Sequence, residues 1–149
     1  MITSSAIAFP RAGDLVSYTL YIHRNMVNLL LNIVWWICGG LASALEYFTA
    51  GLIFCVTIIG IPLGLQSFKL GMVMLFPFGS EVTPSSRNPI GLLGNILWAI
   101  FAGIWIAITH VAIGLLLCIT IVGIPWGTKH FKMAKVAMAP FGREININF

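Results

Sequence analysis

The sequence predicts an all-α integral membrane protein made of two tandem repeats, and three observations carry that prediction. Segments 29–81 and 92–144 align without a gap at an offset of 63 (Asn95 minus Asn32), with roughly two dozen paired positions identical, which is the signature of a duplicated structural unit. Of 149 residues, 59% are hydrophobic and only 8% charged, far below the quarter or so charged in soluble domains. Finally, 29–45 and 47–59 carry no charge, and 90–125 holds no charged side chain apart from whatever proton His110 carries. About 20 apolar residues suffice to cross a bilayer as a helix.

Residues 1–27 read as an interfacial arm broken by Pro10 and Gly13. Arg11, Asp14, His23 and Arg24 precede the first apolar run with no short apolar core between them, so the start does not resemble a cleaved leader. The first repeat, 28–79, opens with an apolar helix that no Pro, Asn or Asp interrupts from 33 to 59. One helix of this length reaches ~45 Å, more than the ~30 Å hydrocarbon core, so it must tilt or kink, and Gly39-Gly40 and Gly103 are the flex points. Two shorter limbs turning at Glu46-Tyr47 and Thr109-His110 are the alternative; each would be marginal for a crossing, and the single helix is preferred. Gly40, Ala44, Gly51 and Cys55, matched by Gly103, Ala107, Gly114 and Cys118, form a small-residue face. Such faces let helices approach closely in lipid, and here they predict packing between the two copies or between subunits.

Each helix is then broken. Cys55-Val56-Thr57-Ile58-Ile59-Gly60-Ile61-Pro62-Leu63-Gly64 corresponds to Cys118-Ile119-Thr120-Ile121-Val122-Gly123-Ile124-Pro125-Trp126-Gly127, and proline at these places ends one helix and starts another in its first turn. The helix after the second break carries Lys129, Lys132 and Lys135 at spacings of three, which suits an amphipathic helix in the headgroup plane. Its counterpart keeps only Lys69 and is apolar enough to be re-entrant. Residues 80–91 are the linker, 92–145 the second repeat and 146–149 a tail.

The charge distribution bears on partners. Arg11 and Arg24 precede the first apolar run, and Lys129, Lys132, Lys135 and Arg143 follow the second, so the positive-inside tendency places both termini in the cytosol. Anionic lipid headgroups are the expected contact of Lys69, Lys129, Lys132, Lys135 and Arg143; a net charge of +4 in so apolar a chain does not suggest nucleic acid. Homo-oligomers, or another membrane protein, are the further expected partners.

Four carboxylates and three histidines are a thin inventory for an enzyme, and no spacing of His or Cys suggests a metal and no motif a cofactor; none of the three is expected. Cys38, Cys55 and Cys118 lie in apolar runs and read as small hydrophobes, and the five tryptophans as interface anchors or packing groups. Glu46 and His110 stand out, because ionisable groups inside a membrane are costly and default to a functional reading. They either line a wet cavity as an ion or proton site or satisfy helix packing. Irregular backbone at membrane depth must be buried in protein or face water, so Gly60, Pro62, Gly123 and Pro125, with Thr57 and Thr120, join Glu46 and His110 as the expected pathway. Thr120-Ile121-Val122-Gly123 itself describes a buried helix end better than a carbonyl filter.

The doubled Ile-x-Gly-Ile-Pro-x-Gly, followed by Phe-Lys and Pro-Phe-Gly and preceded by Asn-Ile-x-Trp and Asn-Ile-Leu-Trp, resembles the YccF family of small bacterial inner-membrane proteins over about residues 28–145. The resemblance implies a multi-pass inner-membrane protein of two like modules. It supplies no catalytic residues. A pore or transport protein for a small ion or solute is the expected function, and a non-transporting accessory or scaffold subunit the alternative.

Overall fold

The computed structural model describes residues 12–85 and 89–147; Pro10, Arg11, Arg87, Asn88 and the last two residues lie outside them. It is helical throughout except for two short strands: α1 (Ala12–Trp35), α2 (Leu41–Cys55), α3 (Ile61–Leu75), β1 (Ser80–Pro84), α4 (Pro89–Trp98), α5 (Ile104–Ile119), α6 (Ile124–Met138) and β2 (Arg143–Ile147). Each repeat has one long apolar helix, over Gly13–Cys55 and Gly91–Ile119. The single-helix alternative therefore holds, and neither Glu46 nor His110 marks a turn. Within the described residues the arm is not separate, since nothing after Gly13 stops a helix and α1 runs through it.

The long helix of the first repeat bends sharply at Cys38 (φ −77°, ψ 18°) and Gly39 (φ +103°). Its equivalent in the second repeat is Ala102, whose Cβ disfavours positive φ. There the chain passes through a widened turn, Ala99–Gly103, with no residue at positive φ. The two predicted flex points are thus both used, but only the glycine makes a true kink.

After each Gly-Ile-Pro break the chain folds back, so that α2 and α3 form one helical hairpin and α5 and α6 another. The close approach is made by glycine: a Cβ on Gly64 would come within 2.7 Å of the Gly51 carbonyl oxygen, and one on Gly127 within 2.8 Å of that of Gly114. The small-residue faces therefore pack within each copy, not between copies as expected. The reason is that the proline breaks return each chain onto its own helix. At the hairpin tips Val56, Ile58, Ile59, Ile119, Ile121 and Val122 are exposed.

The open end of each hairpin is tied down twice. Trp35 Nε1 donates to the Met74 carbonyl and Trp98 Nε1 to that of Ala137, both at 2.7 Å. Asn32 exchanges two hydrogen bonds with the main chain of Phe78 (2.9 and 3.0 Å), and Asn95 two with that of Phe141 (3.0 and 2.8 Å).

The linker and tail supply an unexpected sheet: β1 pairs antiparallel with β2, Ser80 opposite Ile147, Val82 opposite Ile145 and Pro84 opposite Arg143. Adding 63 to 82 gives 145, so the central pair consists of equivalent residues. A pseudo-two-fold axis passes through it. The same axis passes between Tyr47 and His110, again equivalent (47 plus 63), whose rings lie 6.3 Å apart. About it α2 and α5 run antiparallel, with Gly39 against Ile113 and Phe54 against Phe101. Along the axis the layers are sheet, α3 with α6, α2 with α5, and then a groove.

Candidate functional site

Apart from Asn32, the buried polar residues collect around α2 and α5 and the helices packed on them. His110, on α5, is fully buried, and its Nδ1 lies 2.8 Å from Nδ1 of His130 on α6. His130 in turn sets Nε2 3.1 Å from the Cys38 carbonyl oxygen at the kink and stacks on Trp35 with ring centroids 4.2 Å apart. Burial pushes the His130 pKa down to about 4, against a smaller upward pull from the Cys38 carbonyl, so the imidazole is neutral near pH 7.

These contacts fix the tautomers. A carbonyl only accepts, so His130 carries its proton on Nε2, and its Nδ1 is a bare acceptor. His110 must then donate from Nδ1. That leaves His110 Nε2 as an unprotonated lone pair, buried and without a hydrogen-bond partner among the described residues. Three more orphaned atoms lie on the adjacent turn of α2: Ser43 Oγ, Glu46 Oε2 and the Tyr47 hydroxyl. An unsatisfied buried polar group costs ~1–3 kcal/mol, and four in one region ask for water or an ion between the helices.

In the first repeat the corresponding places hold Tyr47 and Ser67, and the Ser67 hydroxyl simply donates to the Tyr47 carbonyl. Both repeats thus link positions twenty residues apart, but only the second does so with two proton-carrying rings.

Beyond this cluster, on the side of α2 facing away from α3, lies a groove of about 510 Å³ between α2 and α5, lined by Leu45, Glu46, Ile53, Phe101, Trp105 and Thr109 among others. There the Glu46 carboxyl meets the Thr109 hydroxyl. Of the eight pathway residues expected from sequence, the structure places Glu46 and His110 in this central region, without a direct pair between them.

The other six are elsewhere. Thr57, Gly60 and Pro62 sit at one tip, and Thr120, Gly123 and Pro125 at the other, at opposite ends of the bundle because α2 and α5 are antiparallel. Each break is satisfied on the spot, Thr57 Oγ1 accepting from the Gly60 amide and Thr120 Oγ1 from that of Gly123, both at 3.1 Å. The breaks are hairpin turns whose backbone amides are bonded locally, and sequence reasoning missed Ser43, Tyr47 and His130. The signal available was that Tyr47/His110 and Ser67/His130 diverge together in an otherwise repetitive chain.

On the sheet side, Lys132 and Lys135 are exposed along α6 and Lys69 along α3. Lys129 is partly covered, its Nζ 5.1 Å above the Phe78 ring, and burial with the nearby Lys132 charge lowers its pKa. Arg143 Nε donates to the Ala139 carbonyl at 2.7 Å. Among the described residues no group of three or more His, Cys, Asp or Glu is placed to hold a metal.

The YccF family model, described as an inner membrane component domain, matches residues 30–80 and again 93–143. The chain belongs to the YccF family. Relatives called inner membrane protein YccF, from Escherichia coli (strain K12) and from Shigella flexneri, are each 35% identical to it over 129 residues, covering 80% of this chain and 87% of theirs. No solved structure matches the chain. Each YccF segment begins ahead of the clasping Asn and tethering Trp, contains a whole hairpin, and ends in the strand that follows. The YccF unit is thus the helical hairpin with its two ties.

Proposed function

We propose that this inner-membrane protein moves a small ion, with the proton the best candidate, along its pseudo-two-fold axis. The observation that carries the reading is the group of four orphaned polar atoms on Ser43, Glu46, Tyr47 and His110, beside the hydrogen-bonded His110–His130 pair. Tyr47, His110 and Trp98 are fully buried, so the region is closely packed at these rings. A proton can pass directly between the two imidazole nitrogens and reach the Glu46 carboxyl through a water of the kind the orphaned atoms call for.

The reading sets the axis along the membrane normal, which makes the repeats parallel, lays α2 and α5 along the membrane plane and not across it as the sequence reading expects, and turns the sheet toward the cytosol. An axis in the membrane plane would leave Glu81, Lys132, Lys135, Arg143 and Glu144 near mid-bilayer, at ~2.5–3.5 kcal/mol for each charge. Both hairpin tips then lie sideways in lipid.

The test is proton flux into liposomes holding the purified protein. Flux that falls at least tenfold in Glu46→Gln and in His110→Ala supports the reading. Flux that is absent from the wild type, or unchanged in both variants, overturns it. A second reading, an accessory subunit without catalysis or transport, is favoured by the groove beside Phe101 and Trp105, which is open and largely apolar. Co-purification of a stoichiometric partner, with no flux by the protein alone, would select it.

A further inference from the structure

We propose that the hollow between β1 and α6 binds a phosphate-bearing anion, the headgroup of an anionic phospholipid or a soluble phosphate. It encloses about 360 Å³ and is lined by Lys129, Lys132, Lys135 and Arg143 together with Ser80 and apolar side chains that include Val82 and Met133. That volume falls within the range of ligand sites. No carboxylate lines it, so four cations converge without an anion among the residues that form the walls.

Two details show that the charge there is unbalanced. Lys129 is drawn partly out of water and repelled by Lys132, which lowers its proton affinity; an anion in the hollow would reverse that. Arg143 spends one of its five N–H donors on the Ala139 carbonyl, which holds the guanidinium in place with donors to spare. Guanidinium and ammonium groups together are the usual partners of phosphate oxygens.

The duplication supplies an internal control. On the other side of the sheet, the hollow between β2 and α3 places Gln66, Lys69 and Met72 where the first has Lys129, Lys132 and Lys135; Arg143 lines this hollow as well, and Glu144 joins it. The backbone of the site is therefore present twice, whereas a row of three lysines with no carboxylate beside it is present once. This inference does not depend on whether the protein conducts ions.

The experiment uses the full chain, purified in detergent after reconstitution with phosphatidylglycerol, and reads lipid retained by native mass spectrometry. Retention by the wild type is expected to weaken on the order of thirty-fold in the K132Q/K135Q double variant, about fivefold per lysine, and to be unaffected in K69Q. The charge-conserving K132R/K135R variant should retain lipid, which separates loss of charge from loss of fold. A second arm measures melting with inorganic phosphate in place of lipid. Stabilisation by phosphate that vanishes in K132Q/K135Q supports the site with a soluble phosphate as its source. Equal lipid retention by wild type and K132Q/K135Q, equal loss in K69Q, or no response to either probe overturns the proposal.

Discussion

The side-chain amide of Asn32 and the main chain of Phe78 satisfy each other twice, Nδ2 donating to the Phe78 carbonyl and Oδ1 accepting from the Phe78 amide. The contact ties the helix before the kink to the turn that launches β1. Asn32→Leu is similar in volume and removes both partners, leaving the Phe78 N–H and C=O unsatisfied, so a loss of about 2 kcal/mol is expected. Asn95→Leu should cost as much at Phe141. Thermal melting in detergent checks both; an unchanged midpoint in either would show that the clasp is dispensable.

Acid should destabilise the fold through His130. Its folded-state pKa of about 4 lies below the ordinary 6.5, so between those values the unfolded chain binds more protons and stability rises with pH. The contribution is present above about 6.5 and is lost as pH falls toward 4. The groups facing the ring are His110 from α5, the Cys38 carbonyl and the Trp35 ring; none is an acid that would hold a cation there. His130→Ser, the residue the first repeat uses at this place, should flatten the acid limb. Melting curves across that pH range decide it.

Gly64→Ala and Gly127→Ala should each open a hairpin. The added methyl would meet a backbone oxygen at 2.7 or 2.8 Å, a contact that no rotamer change relieves, and overpacking of this kind costs ~1–3 kcal/mol. Urea or heat titration of the two variants, with Gly13→Ala as a control that meets nothing within 4 Å, measures the difference.

Placing the axis along the membrane normal predicts the depth of both tips. Ile58 and Ile121 are each 87% exposed. Environment-sensitive dyes on Ile58→Cys and Ile121→Cys, in a background without Cys38, Cys55 and Cys118, should both emit as if in hydrocarbon and resist a water-soluble quencher from either side. Quenching of one tip from each side would instead set the axis in the membrane plane.

Much of the architecture was legible because it is written in backbone chemistry. The prolines at 62 and 125 end helices wherever they occur, Gly39 permits a dihedral that few others accept, and an offset of 63 exposes the duplication. What lay beyond the sequence was pairing. Whether a small-residue face meets its own copy or the other depends on the direction in which the chain leaves Gly60 and Gly123. The strands at Ser80–Pro84 and Arg143–Ile147 are too short and mixed to declare themselves before each finds the other. The site followed the same rule: His110 was conspicuous as a lone ionisable group in an apolar run, but its partner His130 lies on a lysine-bearing helix where a histidine attracts no notice.

The pairing of Val82 with Ile145 across the axis shows what the covalent link between the halves allows. A single unit would have an unmatched edge strand, completed in this geometry only by a second identical molecule. A symmetric pair of identical units would carry the same side chains on both sides of the axis. Because both units sit on one chain, one interior holds a pair of imidazoles where the other holds a phenol and a hydroxyl.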